Sequence, residues 1–325
     1  MTRIAAALAA LLTLAACVPQ TAFEPEPLLP QSRLLSHDWT VPADVDVSDL
    51  DLVDRSLTTG YEVLGHGAPV VMVHGIGGGS SRFQYRLNAR PVANAGYRVY
   101  APDLIGFGAS SRPVGRSTQD LLVAQLETFL AEVVEEPAVL VANGLAAAHA
   151  VRVARERPDL VAGLVLITPT GLERLDRPQT EARRSQFALL TGPLGDLLYF
   201  ALLDEEAQEF FLVDAYASEA SLTPEIRAVY DRELRAPNAQ WIVFSFVTGN
   251  LDQDLSEAWP EVEQPTLIVW GEEAETTPAS DALAFLDARP ATEFVAFDDA
   301  KLLPNEDRAA AFNAALLDYL ARLGW

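Results

Sequence analysis

Four short apolar runs constrain this chain more than any other feature: "PVVMV" (69–73), "AVLVA" (138–142), "GLVLIT" (163–168) and "TLIVWG" (266–271). Each is short, rich in β-branched residues and free of polar alternation, the pattern of a strand covered on both faces. Helical stretches fall between them. "STQDLLVAQLETFLAEVV" (117–134) opens on Ser/Thr caps and runs amphipathic, a second helix follows Leu145, and others are expected over about 82–95, from about 278, and over about 305–322. Further strands are read at "YEVLG" (61–65), "YRVYAPD" (97–103) and "TEFVAF" (292–297). The alternation predicts an α/β fold, with a mostly parallel central sheet flanked by helices. Between residues 170 and 260 it gives way to a wholly helical insertion between two strands, the position of a lid. The core is then expected over 41–169 and 261–325.

The N-terminus reads as an export signal. Arg3 precedes an apolar stretch, Ile4 to Ala16, too short to span a bilayer comfortably. It ends in Leu14-Ala15-Ala16-Cys17, which resembles a bacterial lipobox. The resemblance implies cleavage after residue 16 and lipid attachment at Cys17, the single cysteine of the chain, so no internal disulfide is expected. The Pro-rich stretch 17–40 then reads as a tether from membrane to domain. The expected location is the extracytoplasmic face of a bacterial envelope, with Val18 favouring the outer membrane where there are two. A formal net charge of −23 argues against nucleic acid as a partner and against electrostatic docking on anionic lipid.

From residue 50 onward the chain resembles an α/β-hydrolase. "VMVHGIGGGSSRFQ" resembles the His-Gly oxyanion loop of that superfamily, "GYRVYAPDLIGFGASSRP" its Asp-Leu-x-Gly-x-Gly-x-Ser segment, and "PTLIVWGEEAETTP" the strand and loop that deliver the acid of a catalytic triad. The resemblance implies a nucleophile on a tight strand-to-helix turn, a histidine to take its proton and a carboxylate to orient the histidine. At those three slots stand Gly144, Lys301 and Ala274. Glu273 and Glu275 flank the acid slot, and a one-residue slip would let one of them substitute. No histidine follows the turn: the four are His37, His66, His74 and His149. Lys301 is the only lysine, beside 22 arginines.

What the resemblance leaves intact is the oxyanion apparatus. The N–H groups of Ile76, after His74-Gly75, and of Leu145, after the apex, are expected to converge on one point, with His74, Asn143 and His149 in support. Phe187, Phe200 and Phe211 are expected to roof that point from the lid. No cofactor or metal is expected. These readings lead to a lipid-anchored pseudo-hydrolase, inactive as an esterase, that binds a small apolar or carbonyl-bearing ligand or a protein partner. The first alternative is an active hydrolase with water as nucleophile and Lys301 or His149 as base, and the second is a purely structural interaction module.

Overall fold

The computed structural model describes residues 23–30, 32–218 and 221–325; Cys17 and the signal-like stretch lie outside them. Eight strands form one sheet in the order β1-β2-β4-β3-β5-β6-β7-β8. These are β1 (Leu34–Thr40), β2 (Ser56–Gly65), β3 (Pro69–Val73), β4 (Arg98–Pro102), β5 (Ala138–Asn143), β6 (Val161–Ile167), β7 (Thr266–Gly271) and β8 (Glu293–Phe297). From β4 to β8 all neighbours are parallel, while β2 runs antiparallel to both β1 and β4. The four apolar runs are the central strands β3, β5, β6 and β7, and every residue of β3, β5 and β7 is buried. Helices on both faces supply that burial: α1 (Ala89–Asn94), α2 (Gln119–Phe129), α3 (Leu145–Glu156), α9 (Ala282–Ala288), α10 (Pro304–Asp307) and α11 (Ala309–Leu323). The Thr118 hydroxyl caps α2 by accepting the Leu121 N–H.

Two local expectations differ from the structure. Leu34–Thr40, read as the end of the tether, is the edge strand β1; one of its seven residues is buried, so no apolar alternation marked it. The helix expected over 82–95 is broken into a 3₁₀ turn, Arg82–Tyr85, and the short α1. Buried polar contacts cause the break. The Arg82 N–H and guanidinium both bind Asp103, the guanidinium also meets Glu62, and Asn88 reaches Asn305 O and Asn313. Asp103 further accepts the Ala109 N–H at 2.7 Å, and its own carbonyl accepts the Ser110 hydroxyl at 2.6 Å. The Asp103–Ser110 segment is thus a clamp whose one buried charge, Asp103, is paired with Arg82, as burial requires.

The insertion between β6 and β7 carries five helices: α4 (Glu181–Leu189), α5 (Pro193–Leu202), α6 (Glu205–Ala215), α7 (Pro224–Leu234) and α8 (Ala239–Val247). They leave the sheet at the carboxyl end of β6, the end at which open α/β sheets bind ligands.

Candidate active site

The site is built around the end of β5, the fifth strand across the sheet. Asn143 is its last residue, Gly144 follows, and Leu145 opens α3. Gly144 has φ 57° and ψ −123°, a conformation that strains any residue with a Cβ. The turn is pinned by the Gly144 N–H on Ile167 O at 2.9 Å and by the Thr170 N–H on Gly144 O at 3.4 Å. A side chain built at Gly144 meets no atom within 4 Å, so the apex opens onto free space. Leu145 stands in the first turn of α3, where its N–H has no intrahelical acceptor.

The oxyanion loop lies against this turn. A Cβ at Gly75 would come to 3.2 Å from Asn143 Oδ1, a tight contact that a glycine avoids as the loop approaches the turn. The Gly75 N–H donates to Gln84 Oε1 at 2.8 Å. His74 is fully buried: Nδ1–H donates to Gly75 O at 2.8 Å, and Nε2 accepts the Leu104 N–H at 3.0 Å. Burial pushes its pKa down, which favours the neutral ring that these two bonds need. His74 therefore ties the oxyanion loop to the Asp103 clamp.

The other slots converge from two loops. Ala274, after β7, is buried. Lys301, in the loop after β8, donates from Nζ to Val213 O of α6 at 3.0 Å and stands 3.7 Å from Glu275 Oε1. The adjacent Leu302 carbonyl lies 3.5 Å from Asn143 Nδ2, beside the apex. The structure therefore brings Lys301 and Glu275 together and joins their loops to the elbow. Glu273, the other acidic neighbour of Ala274, bonds to this loop through its backbone, its N–H donating to Ala300 O at 3.0 Å. His149 is turned elsewhere: its ring is fully buried, Nε2 donates to Leu251 O at 3.0 Å, and Nδ1 has no partner among the described residues. Burial holds its pKa down at about 4.

Sequence reasoning missed two groups here. Thr168 and Thr170, at the end of β6 beside the elbow, are buried with hydroxyls that have no partner among the described residues, and Thr168 has φ 44°. The second group is a buried polar chain from the lid. Gln84 Nε2 donates to the Tyr230 hydroxyl of α7 at 3.1 Å, Tyr216 donates to Glu306 Oε2 at 3.0 Å, and Glu306 pairs with Arg86. Tyr216 and Tyr230 also bond to each other. Burial raises the Glu306 pKa to about 7, with Arg86 pulling the other way. No motif marks these residues, which are up to 220 positions apart. Of the three lid aromatics expected to roof the site, only Phe187 is buried; Phe200 is 69% exposed and Phe211 59% exposed, so both expectations are corrected. Among the described residues no cluster of metal-ligating side chains occurs.

A tight turn after the central strand, a close-lying oxyanion loop and a helical cap over the carboxyl ends of the strands define a protein built on the plan of an α/β-hydrolase. The chain belongs to the alpha/beta hydrolase family, which it matches over residues 70–315. It is 27% identical over 266 residues to a 2-hydroxy-6-oxononadienedioate/2-hydroxy-6-oxononatrienedioate hydrolase of Comamonas testosteroni, covering 79% of this chain and 89% of that one. It is 26% identical, over the same shares, to a 2-hydroxy-6-oxo-6-phenylhexa-2,4-dienoate hydrolase of Burkholderia cepacia. Among solved structures, a meta-cleavage product hydrolase from Pseudomonas fluorescens IP01 superposes with a TM-score of 0.67 at 22% identity, covering 82% of this chain and 95% of that one. The epoxide hydrolase CorEH superposes with a TM-score of 0.70 at 17% identity, over 90% of this chain and all of the other. These two likenesses bear on the fold.

The comparisons correct the expectation of a pseudo-hydrolase. Both curated relatives named above are hydrolases, which favours the alternative of an active hydrolase. The three substituted slots concern side chains, whereas the turn and the donor loop are backbone features that stay in place, and Gly144, lacking a side chain, leaves the apex open.

Proposed function

We propose that the chain is a hydrolase of carbonyl compounds that uses water where its relatives' fold presents a side-chain nucleophile. The observation that carries this reading is the pairing of Lys301 with Glu275, across loops joined to an apex that is open at Gly144. Substrate carbonyl oxygen would bind the N–H groups of Ile76 and Leu145, and water would stand in the space over Gly144. Water oxygen bonds to the carbonyl carbon while its proton passes to the Lys301 amine. The tetrahedral oxyanion rests on the two N–H groups. The bond to the leaving group then breaks, and the leaving atom takes the proton back from Lys301. Glu275 and Val213 O orient the amine throughout. The relatives' names suggest 2-hydroxy-6-oxodienoates as a substrate class, and simple esters offer the same carbonyl chemistry.

Lipid attachment at Cys17 belongs to the same proposal, which sets the enzyme on an envelope membrane with its domain outside the cytoplasm. The test is turnover of 2-hydroxy-6-oxo-6-phenylhexa-2,4-dienoate and a chain-length series of nitrophenyl esters, with Lys301→Ala beside the natural chain. Turnover lost in Lys301→Ala and retained in His149→Ala supports the reading. Turnover indifferent to Lys301 overturns it.

A further inference from the structure

Lid helix α5 and the last residue of α4 carry large apolar side chains that no described residue covers. Leu189 is 71% exposed, Leu197 63%, Leu198 46% and Phe200 69%. Helix α5 meets the domain through a narrow stripe. Tyr199 packs edge-on to Phe244 and donates to Leu234 O at 2.5 Å, with Leu202 in the same cluster. Asp196, Leu197, Leu198, Phe200 and Ala201 of α5 are exposed, and Asp196 is its only charged residue. The cations of α4 do not join that outer face. Arg183 is drawn onto Asp252, and Arg184 onto Asp49. An apolar face of this kind on a water-soluble domain marks a contact surface.

The N-terminal segment says what covers it. Phe23 packs into the same lid cluster as Phe187, Leu190 and Tyr199, and the Arg112 guanidinium lies 4.3 Å from its ring centroid. Glu26 pairs with Arg232 of α7. The chain therefore leaves the domain at the lid. Cys17 precedes Phe23 by six residues, and a fully extended chain of that length reaches about 20 Å. A lipid carried at Cys17 holds the bilayer within that distance of the lid. We infer that the outer face of α4 and α5 is a membrane-docking surface, seated on the bilayer that receives the Cys17 lipid. This rests on the lipid-anchor reading above. The partner chemistry is neutral lipid: the face offers Leu and Phe rather than cations, and the chain as a whole carries −23. The lid that covers the site would then be the part of the protein nearest the membrane, so an apolar substrate would reach it from the lipid side.

The test uses the full chain purified from bacterial membranes and reconstituted in phosphatidylcholine vesicles. With Cys17 acylated, Leu198→Cys is the only free thiol and takes a nitrobenzoxadiazole label. Asp159→Cys, before β6 at the opposite end of the sheet, is the control. The expected result is a blue-shifted emission at position 198 and at least threefold stronger quenching there by nitroxide-bearing phosphatidylcholine than at position 159. Acylated Cys17 with position 198 as open to aqueous iodide as position 159 overturns the docking surface and leaves the anchor standing. Lipid quenching at position 198 with no acyl group on Cys17 in the mass spectrum overturns the anchor alone. A blue shift that needs no vesicles and grows with protein concentration assigns the face to a second copy of the chain, which also overturns the proposal.

Discussion

Gln84 holds the Gly75 N–H on its side-chain oxygen at 2.8 Å, and its amide nitrogen meets the Tyr230 hydroxyl of the lid at 3.1 Å. One buried carboxamide thus fixes the oxyanion loop and couples it to α7. Gln84→Leu leaves the Gly75 N–H unpaired in a dry interior and takes one of its two partners from the Tyr230 hydroxyl. The expected cost is about 1–3 kcal/mol of stability. Turnover should fall further than stability alone explains, because the loop loses its fixed register on Asn143. Denaturant unfolding and ester kinetics on the same sample check both.

Gly144→Ala puts a methyl group into the space assigned to water, at a backbone conformation that a Cβ strains. A stability loss of about 1–3 kcal/mol is expected from the strain. Since that methyl meets nothing within 4 Å, the loss comes from the backbone and not from collision. Activity should drop at least tenfold if water stands at the apex. Gly144→Ser should not raise turnover, since its hydroxyl would take the place of that water with no imidazole to activate it. Kinetics of the two variants at matched folded fraction distinguish them, and robust turnover by Gly144→Ser would refute the water mechanism.

Glu306 and Glu233 set an unusual pH dependence. Both are buried, and burial raises each from 4.5 to about 7, opposed by Arg86 and Arg112 respectively. A carboxyl group with a folded pKa above its unfolded value binds more protons when folded. Its contribution to stability is therefore complete below about 4.5 and is lost as pH rises through about 7. The expected loss is roughly 3 kcal/mol for each group at most. Unfolding at pH 5 and pH 8 measures it, and Glu306→Gln should flatten about half of the slope. An unchanged slope in Glu306→Gln would mean that Glu306 is ionised at both pH values.

The Glu62–Arg82–Asp103 cluster is a different case, since its charges are paired in the core. Removing one member strands the others without water. Asp103→Ala is expected to destabilise by about 3–5 kcal/mol. It should also release the Ala109 and Arg82 N–H groups that shape the clamp. Yield of folded protein and its unfolding midpoint read this out.

Some features of this protein follow from local sequence alone. The buried strands are legible because a run such as Val70–Val73 has one stable use, a strand covered on both faces. The elbow is legible because a β-run, a glycine and an alanine-rich helix start occupy consecutive positions, and the clamp because Asp103, Gly106, Gly108 and Ser110 lie within one short segment. The remaining features were decided only by folding. Lys301 met Glu275 rather than Glu273 because side chains two apart in a loop point differently, and loop geometry has no periodicity to read. His149 turned into the core, Phe200 turned outward, and Thr168 and Thr170 came to flank the apex, each through packing between segments distant in the chain. Periodicity and local turn chemistry determine strands and turns residue by residue. The direction of a side chain on a lid helix, or the partner of a lone cation, is set by whichever distant surface the fold brings against it.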